Sequence, residues 1–127
     1  MKNNYFYKYL FFFLFFIFSN VNSAEEFNFD ITEIEILENG NLYKGLKRGT
    51  ITTTDGIILN ADNFQYNKKL NILNAEGKVS IEDTVNNYLI LTNKITYLRD
   101  KNIILTKEKS KAIDQNDNTI IDAQDFE

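Results

Sequence analysis

The chain has 127 residues, with 14 basic and 18 acidic side chains, a formal net charge of −4, and no cysteine or histidine. An acidic chain is a poor candidate for a nucleic-acid-binding protein, which needs a basic surface. The missing residue types exclude disulfides, Ser-His-Asp and Cys-His catalytic sites and the usual zinc sites. We expect no enzyme activity, no cofactor and no metal.

The first 24 residues have the pattern of a secretory signal peptide. Lys2 and Lys8 give a basic start, nine apolar residues follow from Leu10 to Phe18, and the segment ends in small residues at Ser23 and Ala24. Nine apolar residues are too few for a membrane-spanning helix, which needs about 20. An uncleaved anchor is the alternative. We expect residues 1–24 to be removed on export, which leaves 12 basic and 18 acidic residues in 25–127.

The rest of the chain contains an internal repeat of 30 or 31 residues. Each copy has apolar residues at every second position, then one extra residue, then the alternation again. The extra residues lie at Thr32-Glu33, Asp62-Asn63 and Asn93-Lys94, where we expect bulges or bends. The copies begin at Phe27, Ile57, Tyr88 and Thr119, and the first apolar residues beyond the turns are Leu42, Ile72 and Ile103. The fourth copy stops at Glu127, which suggests a longer protein.

Turn signals separate these runs and predict an all-β, antiparallel fold with some seven strands. Asn39-Gly40 and Asp55-Gly56 are strong hairpin signals, because both residue types tolerate positive φ. Weaker signals follow at Asn67-Lys68-Lys69, Asn86-Asn87, Asp100-Lys101-Asn102 and Asn116-Asp117-Asn118. A two-strand repeat of this length is too short for a propeller blade. It favours an elongated, open two-sheet roll with Phe64, Tyr66, Ile72, Val79, Ile95 and Tyr97 in one inward layer.

Two patterns that could indicate a catalytic or metal-binding site have simpler explanations. Glu33 and Glu35 alternate on the polar side of a strand, a pattern that indicates a solvated face rather than acid–base chemistry. Asp114-x-Asn116-x-Asn118, followed by Asp122 and Asp125, has the oxygen spacing of a calcium loop, but it lacks the required glycine and overlaps the fourth repeat. We predict a hairpin turn there.

Three motifs of the repeat resemble the OstA-like domains of lipopolysaccharide transport. These motifs are Gly49 to Gly56, Ala-Asp-Asn-Phe-Gln-Tyr from Ala61 to Tyr66, and the strand from Leu70 to Val79 that contains Ala-Glu-Gly-Lys-Val. The resemblance covers nearly all of Phe27 to Glu127. Within the family the chain is most similar to the N-terminal periplasmic domain of the outer-membrane lipopolysaccharide-assembly protein, followed by the soluble periplasmic bridge protein.

The resemblance implies an elongated β-jelly roll in residues 25–127, in the periplasm, that binds the acyl chains of lipopolysaccharide in an apolar groove. It also implies head-to-tail pairing of edge strands with an upstream bridge protein, and a C-terminal outer-membrane barrel with its partner lipoprotein if the chain is the assembly protein. The partner edge would be Phe27, Phe29, Ile31, Ile34 and Ile36. The groove would be lined by Phe29, Ile34, Ile36, Leu59, Phe64, Tyr66, Ile72, Val79, Ile95 and Tyr97.

A structural repeat domain of a secreted or surface protein, such as an adhesin stalk, is the alternative function. Its core would be dry, because the apolar face that could line a lipid groove is also the face that any β-sandwich needs for its core. The two functions therefore differ in whether inward residues open onto a slot.

Overall fold

The computed structural model describes residues 27–124 and confirms the all-β, antiparallel prediction. Its eleven strands are β1 (Asn28–Asp30), β2 (Ile34–Leu37), β3 (Leu42–Gly45), β4 (Gly49–Thr52), β5 (Ile57–Ala61), β6 (Asn63–Asn67), β7 (Ile72–Asp83), β8 (Tyr88–Leu98), β9 (Ile103–Thr106), β10 (Ser110–Asp114) and β11 (Thr119–Ala123). Two short 3₁₀ turns, Glu38–Gly40 and Arg99–Lys101, follow β2 and β8. No helix within residues 27–124 is long and apolar enough to cross a membrane. The predicted signal peptide lies outside the described residues.

The strands form one continuous sheet that divides into two half-sheets. The first half-sheet contains β1, β4, β5, residues 79–83 of β7, residues 88–92 of β8, β10 and β11. The second contains β2, β3, β6, residues 72–76 of β7, residues 94–98 of β8, and β9. The chain crosses repeatedly from one half-sheet to the other, and only β7 and β8 do so as unbroken strands. The jelly-roll topology that the resemblance implies stays a prediction.

The crossings lie along one line, which we call the crease. It includes residues 31–33, 46–48, 62, 77–78 and 93–94. Arg48 donates to the Asp62 carboxylate at 2.9 Å and to the Lys78 carbonyl oxygen at 3.2 Å, and the Asp62 N–H donates to the Gly77 carbonyl oxygen at 2.9 Å. Gly77 has φ +84°, and a Cβ atom there would lie 2.7 Å from the Asp62 side chain. The close approach and the positive φ together require glycine.

Folding along the crease brings the apolar faces of the two half-sheets together as an inner face. A single cluster of buried side chains combines Ile51, Leu59 and Ile81 of the first half-sheet with Phe64, Leu73, Ile95 and Tyr97 of the second. The alternation along each strand places these residues on one side, so burial of one apolar face against the other stabilises the fold.

The free ends of the half-sheets form two rims of stacked turns. The first rim consists of residues 53–56, 84–87 and 115–118, and the second of residues 38–41, 68–71 and 99–102. Gly56, Asn71, Asn87, Asn102 and Asn118 all have positive φ. Backbone hydrogen bonds join one turn to the next, from Thr84 to Gly56, Gln115 to Asn87, Lys68 to Asn41 and Arg99 to Asn71. This stacking explains the near-constant period, and every predicted turn is present.

The three predicted slips have different structures. The chain leaves the strand at residues 31–33 and at Asp62, so the first two runs are each split into two strands. Two further breaks, at residues 46–48 and 107–109, also divide expected strands, and eleven strands replace the expected seven. β8 instead continues through Asn93 and Lys94, although its inward side changes from Thr92 to Ile95. The pairing irregularity lies opposite, where Gly77 and Lys78 of β7 face Asn93.

The predicted inward position of Ile72 is wrong. Leu73 is fully buried on the inner face, and Ile72 lies on the outer face. Ile72 is paired with Leu98 on one side and with Asn67 on the other, and Asn67 is in turn paired with Leu42. The repeat alignment of Leu42, Ile72 and Ile103 is correct, because all three occupy the same outer row. Their successors Tyr43, Leu73 and Ile104 are the inward residues, since alternation fixes opposite faces for neighbours in a strand.

Candidate functional site

A pocket lined by aromatic rings lies on the inner face at the β1 and β3 end of the sheet. Phe27, Phe29, Tyr43, Tyr66 and Lys68 surround a cavity of about 160 Å³. The Phe27 and Tyr66 rings meet edge to face with centroids 5.0 Å apart, and the Phe29 and Tyr43 rings are nearly parallel with centroids 6.0 Å apart. Both arrangements are favourable for aromatic pairs. We call this cavity the aromatic pocket.

The pocket has an apolar interior and polar groups at its boundary. The Tyr66 hydroxyl hydrogen-bonds the Asn71 side-chain oxygen at 2.9 Å, in the second rim. Lys68, exposed in the same turn, adds a cation to the lining. An apolar cavity beside a cation suits a ligand that has a hydrocarbon part and an anionic group.

Next to the pocket, the inner face remains exposed on the edge strand β2. Ile36 is paired with Tyr43, and Ile34 with Gly45, so both isoleucines share the inner side of their strand. Ile36 is nonetheless 60% exposed and Ile34 37% exposed. Within residues 27–124 no strand pairs with the outer edge of β1 or of β2. The apolar face therefore continues from the core to an exposed edge.

The residues predicted from the sequence to line a groove fall into three groups. Leu59, Phe64, Val79, Ile95 and Tyr97 are buried in the centre of the inner face, each at most 4% exposed. Phe29 and Tyr66 are partly buried in the aromatic pocket, and Ile34 and Ile36 are exposed beside it. Ile72 is on the outer face. The structure thus brings nine of the ten to one side of the sheet but packs five of them as core.

The predicted partner edge corresponds to the exposed end of the sheet. Phe27 precedes β1 and is buried, Phe29 is in β1, and Ile31 lies in the bend where it packs against the core. The Ile31 side chain fills the space beside Gly45 and Gly49, where a Cβ atom would lie 2.9 Å and 2.5 Å from it. Ile34 and Ile36 complete the edge in β2. Phe27 and Ile31 are therefore packing residues.

Arg99 is a buried charged residue that the sequence analysis did not identify. Its side chain is 4% exposed, and its guanidinium binds both carboxylate oxygens of Asp55, at 2.9 and 3.2 Å. It also donates to the Tyr97 hydroxyl at 2.8 Å and to the Asn102 side-chain oxygen at 3.0 Å. The Phe27 and Tyr97 rings lie 5.9 and 5.7 Å from the guanidinium carbon. Arg99 thus links the core to Asp55 in the first rim.

The hydrogen bond from Arg99 lowers the pKa of Asp55 below its ordinary value of 3.8, against the opposing effect of partial burial. A carboxylate with a lowered folded-state pKa stabilises the fold above its unfolded pKa, and this stabilisation is lost as the pH falls through the folded pKa.

We expect the stability difference between wild type and Asp55→Asn to be constant above about pH 5 and to shrink below about pH 4. Urea unfolding across this range measures it. In an Arg99→Met background the pH dependence should be largely absent, and an unchanged dependence there would contradict the assignment.

A larger groove, of about 410 Å³, lies on the outer face beside the crease. Its lining includes Lys44, Gln65, Asn74, Glu76 and Lys94, and Lys94 lies 3.6 Å from Glu76 in an ion pair. Leu46, Phe64 and Ala75 also contribute to the lining, so this groove is mixed in character, whereas aromatic rings form most of the wall of the smaller pocket.

The sequence patterns with possible metal or acid–base chemistry belong to solvated surface and turns. The Asp114 carboxylate accepts hydrogen bonds from Asn116, and Asp117 accepts one from the Thr119 N–H, within the turn between β10 and β11. The predicted hairpin turn is confirmed, although Asp125 lies outside the described residues. Across residues 27–124 no group of three or more acidic side chains could hold a metal ion. Glu33 and Glu35 are exposed, and Glu33 pairs with Lys47 at 2.9 Å.

Comparison with known proteins gives no family assignment. No protein-family model matches the chain, and no curated protein matches it in sequence. Function must therefore be inferred from the residues and their arrangement.

Proposed function

We propose that this chain is a periplasmic lipopolysaccharide-binding domain that passes the lipid toward the outer membrane during assembly of the cell envelope. The resemblance of its repeat motifs to OstA-like domains supports this role. The observation that carries it is the inner face, because apolar side chains continue from the packed core through the aromatic pocket to the exposed Ile34 and Ile36. Such a face can take up hydrocarbon without any catalytic group.

The energetics of acyl-chain burial support this role. Burial of about ten methylenes of one acyl chain would contribute on the order of 8 kcal/mol. Lys68 lies beside the pocket, where a cation can attract the anionic groups of the lipid. A ligand that has both an acyl chain and an anionic group would therefore bind better here than a purely apolar ligand.

The unpaired edge of β1 and β2 supports a role in a chain of domains. Its free backbone groups can pair with a strand from another protein. We propose that this edge accepts the upstream bridge protein, and that lipid crosses the junction into the aromatic pocket. A C-terminal barrel and its lipoprotein are the further partners if the chain belongs to the outer-membrane assembly protein.

Photo-crosslinking in cells that make lipopolysaccharide tests this proposal. A crosslinking amino acid is placed at Phe29, Tyr43 or Tyr66 on the inner face, and at the outward neighbours Asn28, Lys44 and Gln65 as matched controls. Each control is adjacent to its test position in the same strand, so both positions lie in the same part of the fold while their side chains point to opposite faces of the sheet. We expect lipopolysaccharide adducts at the three inner positions and few at the controls.

Two outcomes of the crosslinking experiment would contradict the proposal. Equal labelling of inner and outer positions, or no lipid adduct anywhere while the protein is folded, would contradict the lipid function. The same crosslinking amino acid placed at Ile34 or Ile36 tests the edge separately, because strand pairing there would give adducts with a partner protein.

A structural repeat domain of a secreted or surface protein is the second candidate. The packed centre favours it, because Leu59, Ile81, Ile95 and Tyr97 are each at most 2% exposed and leave no continuous slot in this conformation. The stacked turns of the two rims also suit an extended solenoid-like stalk. The crosslinking experiment separates the two functions, because a stalk with a dry core predicts no lipid adducts.

A further inference from the structure

The Asp55–Arg99 ion pair joins the two rims of the folded sheet. Asp55 lies in the turn between β4 and β5 in the first rim, and Arg99 follows β8 in the second rim. The residues are 44 positions apart, and their two hydrogen bonds span the side of the fold opposite the crease. Phe27 reinforces the contact, since its ring packs against Tyr97 with centroids 5.8 Å apart.

With the rims joined, the described side chains between the half-sheets are tightly packed beyond the aromatic pocket. Leu59, Ile81, Ile95 and Tyr97 fill the space between the half-sheets, directly inside the ion pair. An acyl chain that moves past the pocket must displace these contacts, and the rims must separate for that to happen.

An ion pair is suited to a reversible closure. Two charges removed from water attract each other strongly, but both can be hydrated again when they separate, so the net cost of breaking the pair is small compared with the gross attraction. The crease can act as the hinge, because Gly77 has a backbone conformation that few other residues adopt and lies where β7 crosses between the half-sheets.

We propose that the Asp55–Arg99 pair is a latch that holds the rims together, and that its release separates the half-sheets and admits an acyl chain to the core. The first part concerns the conformation alone, and the second rests on the proposed function. A protein whose binding-competent state is rarely populated has a weakened apparent affinity, and weakening the latch removes part of that penalty.

Distance measurements between spin labels test the latch. The chain has no cysteine, so cysteines placed at the exposed Thr54 and Lys101 label the two rims without side reactions, and a pair at Lys47 and Lys78 reports on the crease. Asp55→Asn removes the charge of the latch. Asp62→Asn is the matched control, because it breaks a second Arg–Asp pair of the same 2.9 Å length at the crease. Asp55→Asn combined with Arg99→Gln guards against misfolding caused by an unpaired buried charge.

We expect Asp55→Asn and the double variant to lengthen the rim-to-rim distance and leave the crease distance unchanged, while Asp62→Asn leaves the rim distance as in wild type. We also expect the apparent Kd for a dansyl-labelled fatty acid to fall about tenfold in the latch variants. Unchanged rim distances in folded variants would overturn the latch. Separated rims without tighter binding would overturn its role in admitting acyl chains. If neither wild type nor any variant bound the fatty acid, this would count against the lipid function. The rim-to-rim distances would still show whether the ion pair holds the rims together.

Discussion

Replacing Leu59 with alanine is expected to lower the free energy of unfolding by about 2–5 kcal/mol. Leu59 is 1% exposed at the centre of the inner face, between Ile51 of β4 and Ile81 of β7. Truncation removes apolar contacts and leaves a cavity that the close-packed strands cannot refill. For a domain of this size the loss is a large fraction of the total stability. Urea unfolding should show a lower midpoint with an unchanged slope.

Leu70→Ala is the matched control for this prediction. Leu70 lies in the turn before β7 and is 58% exposed, so the same truncation removes few contacts. We expect a change within about 0.5 kcal/mol. Equal effects at the two leucines would mean that the inner face is not the core.

Replacing Arg99 with methionine is expected to destabilise the fold by about 2–4 kcal/mol. Methionine preserves much of the apolar contact with Phe27 and Tyr97, but it removes the ion pair with Asp55 and the hydrogen bonds to Tyr97 and Asn102. The loss is tempered because the Asp55 side chain is 30% exposed and can be hydrated. Thermal and urea unfolding both measure it.

Arg48→Met provides the comparison that isolates burial. Arg48 and Asp62 form an ion pair of equal length, 2.9 Å, but the Arg48 side chain is 50% exposed. Exposed pairs contribute little because water screens them, so we expect a loss within about 1 kcal/mol. A larger loss for Arg48 than for Arg99 would contradict the structural role assigned to the latch.

The strand and turn pattern could be predicted from the sequence because each signal is local. Alternation of apolar residues predicted the strands, and Asn39-Gly40 and Asp55-Gly56 predicted turns that require positive φ. The repeat period predicted the spacing of the turns, which stack at the same interval in both rims. These features depend on neighbouring residues and on backbone conformation alone.

The features that were missed depend on contacts between distant residues. Ile72 and Leu73 are adjacent and both apolar, so alternation alone could not decide which one faces inward; pairing with Tyr66 and Tyr97 places Leu73 there. In the sequence, Arg99 resembles an ordinary surface arginine after a strand. Its partner Asp55 is 44 residues away and comes into contact with it only when the sheet folds along the crease. The same folding assembles the aromatic pocket, where Tyr43 joins residues from β1 and β6.

Direct binding of purified lipopolysaccharide to paired variants tests the central claim, that the inner face holds acyl chains. Tyr66→Glu places a charge in the aromatic pocket, and Gln65→Glu adds the same charge to the outer face one residue away. We expect saturable binding by wild type and by Gln65→Glu, and affinity at least about tenfold weaker for Tyr66→Glu, because a carboxylate in the cavity opposes acyl-chain burial and repels the anionic groups of the lipid. Tyr43→Glu should have the same effect. Absence of binding by folded wild type, or equal loss in the Gln65 and Tyr66 variants, would contradict the claim.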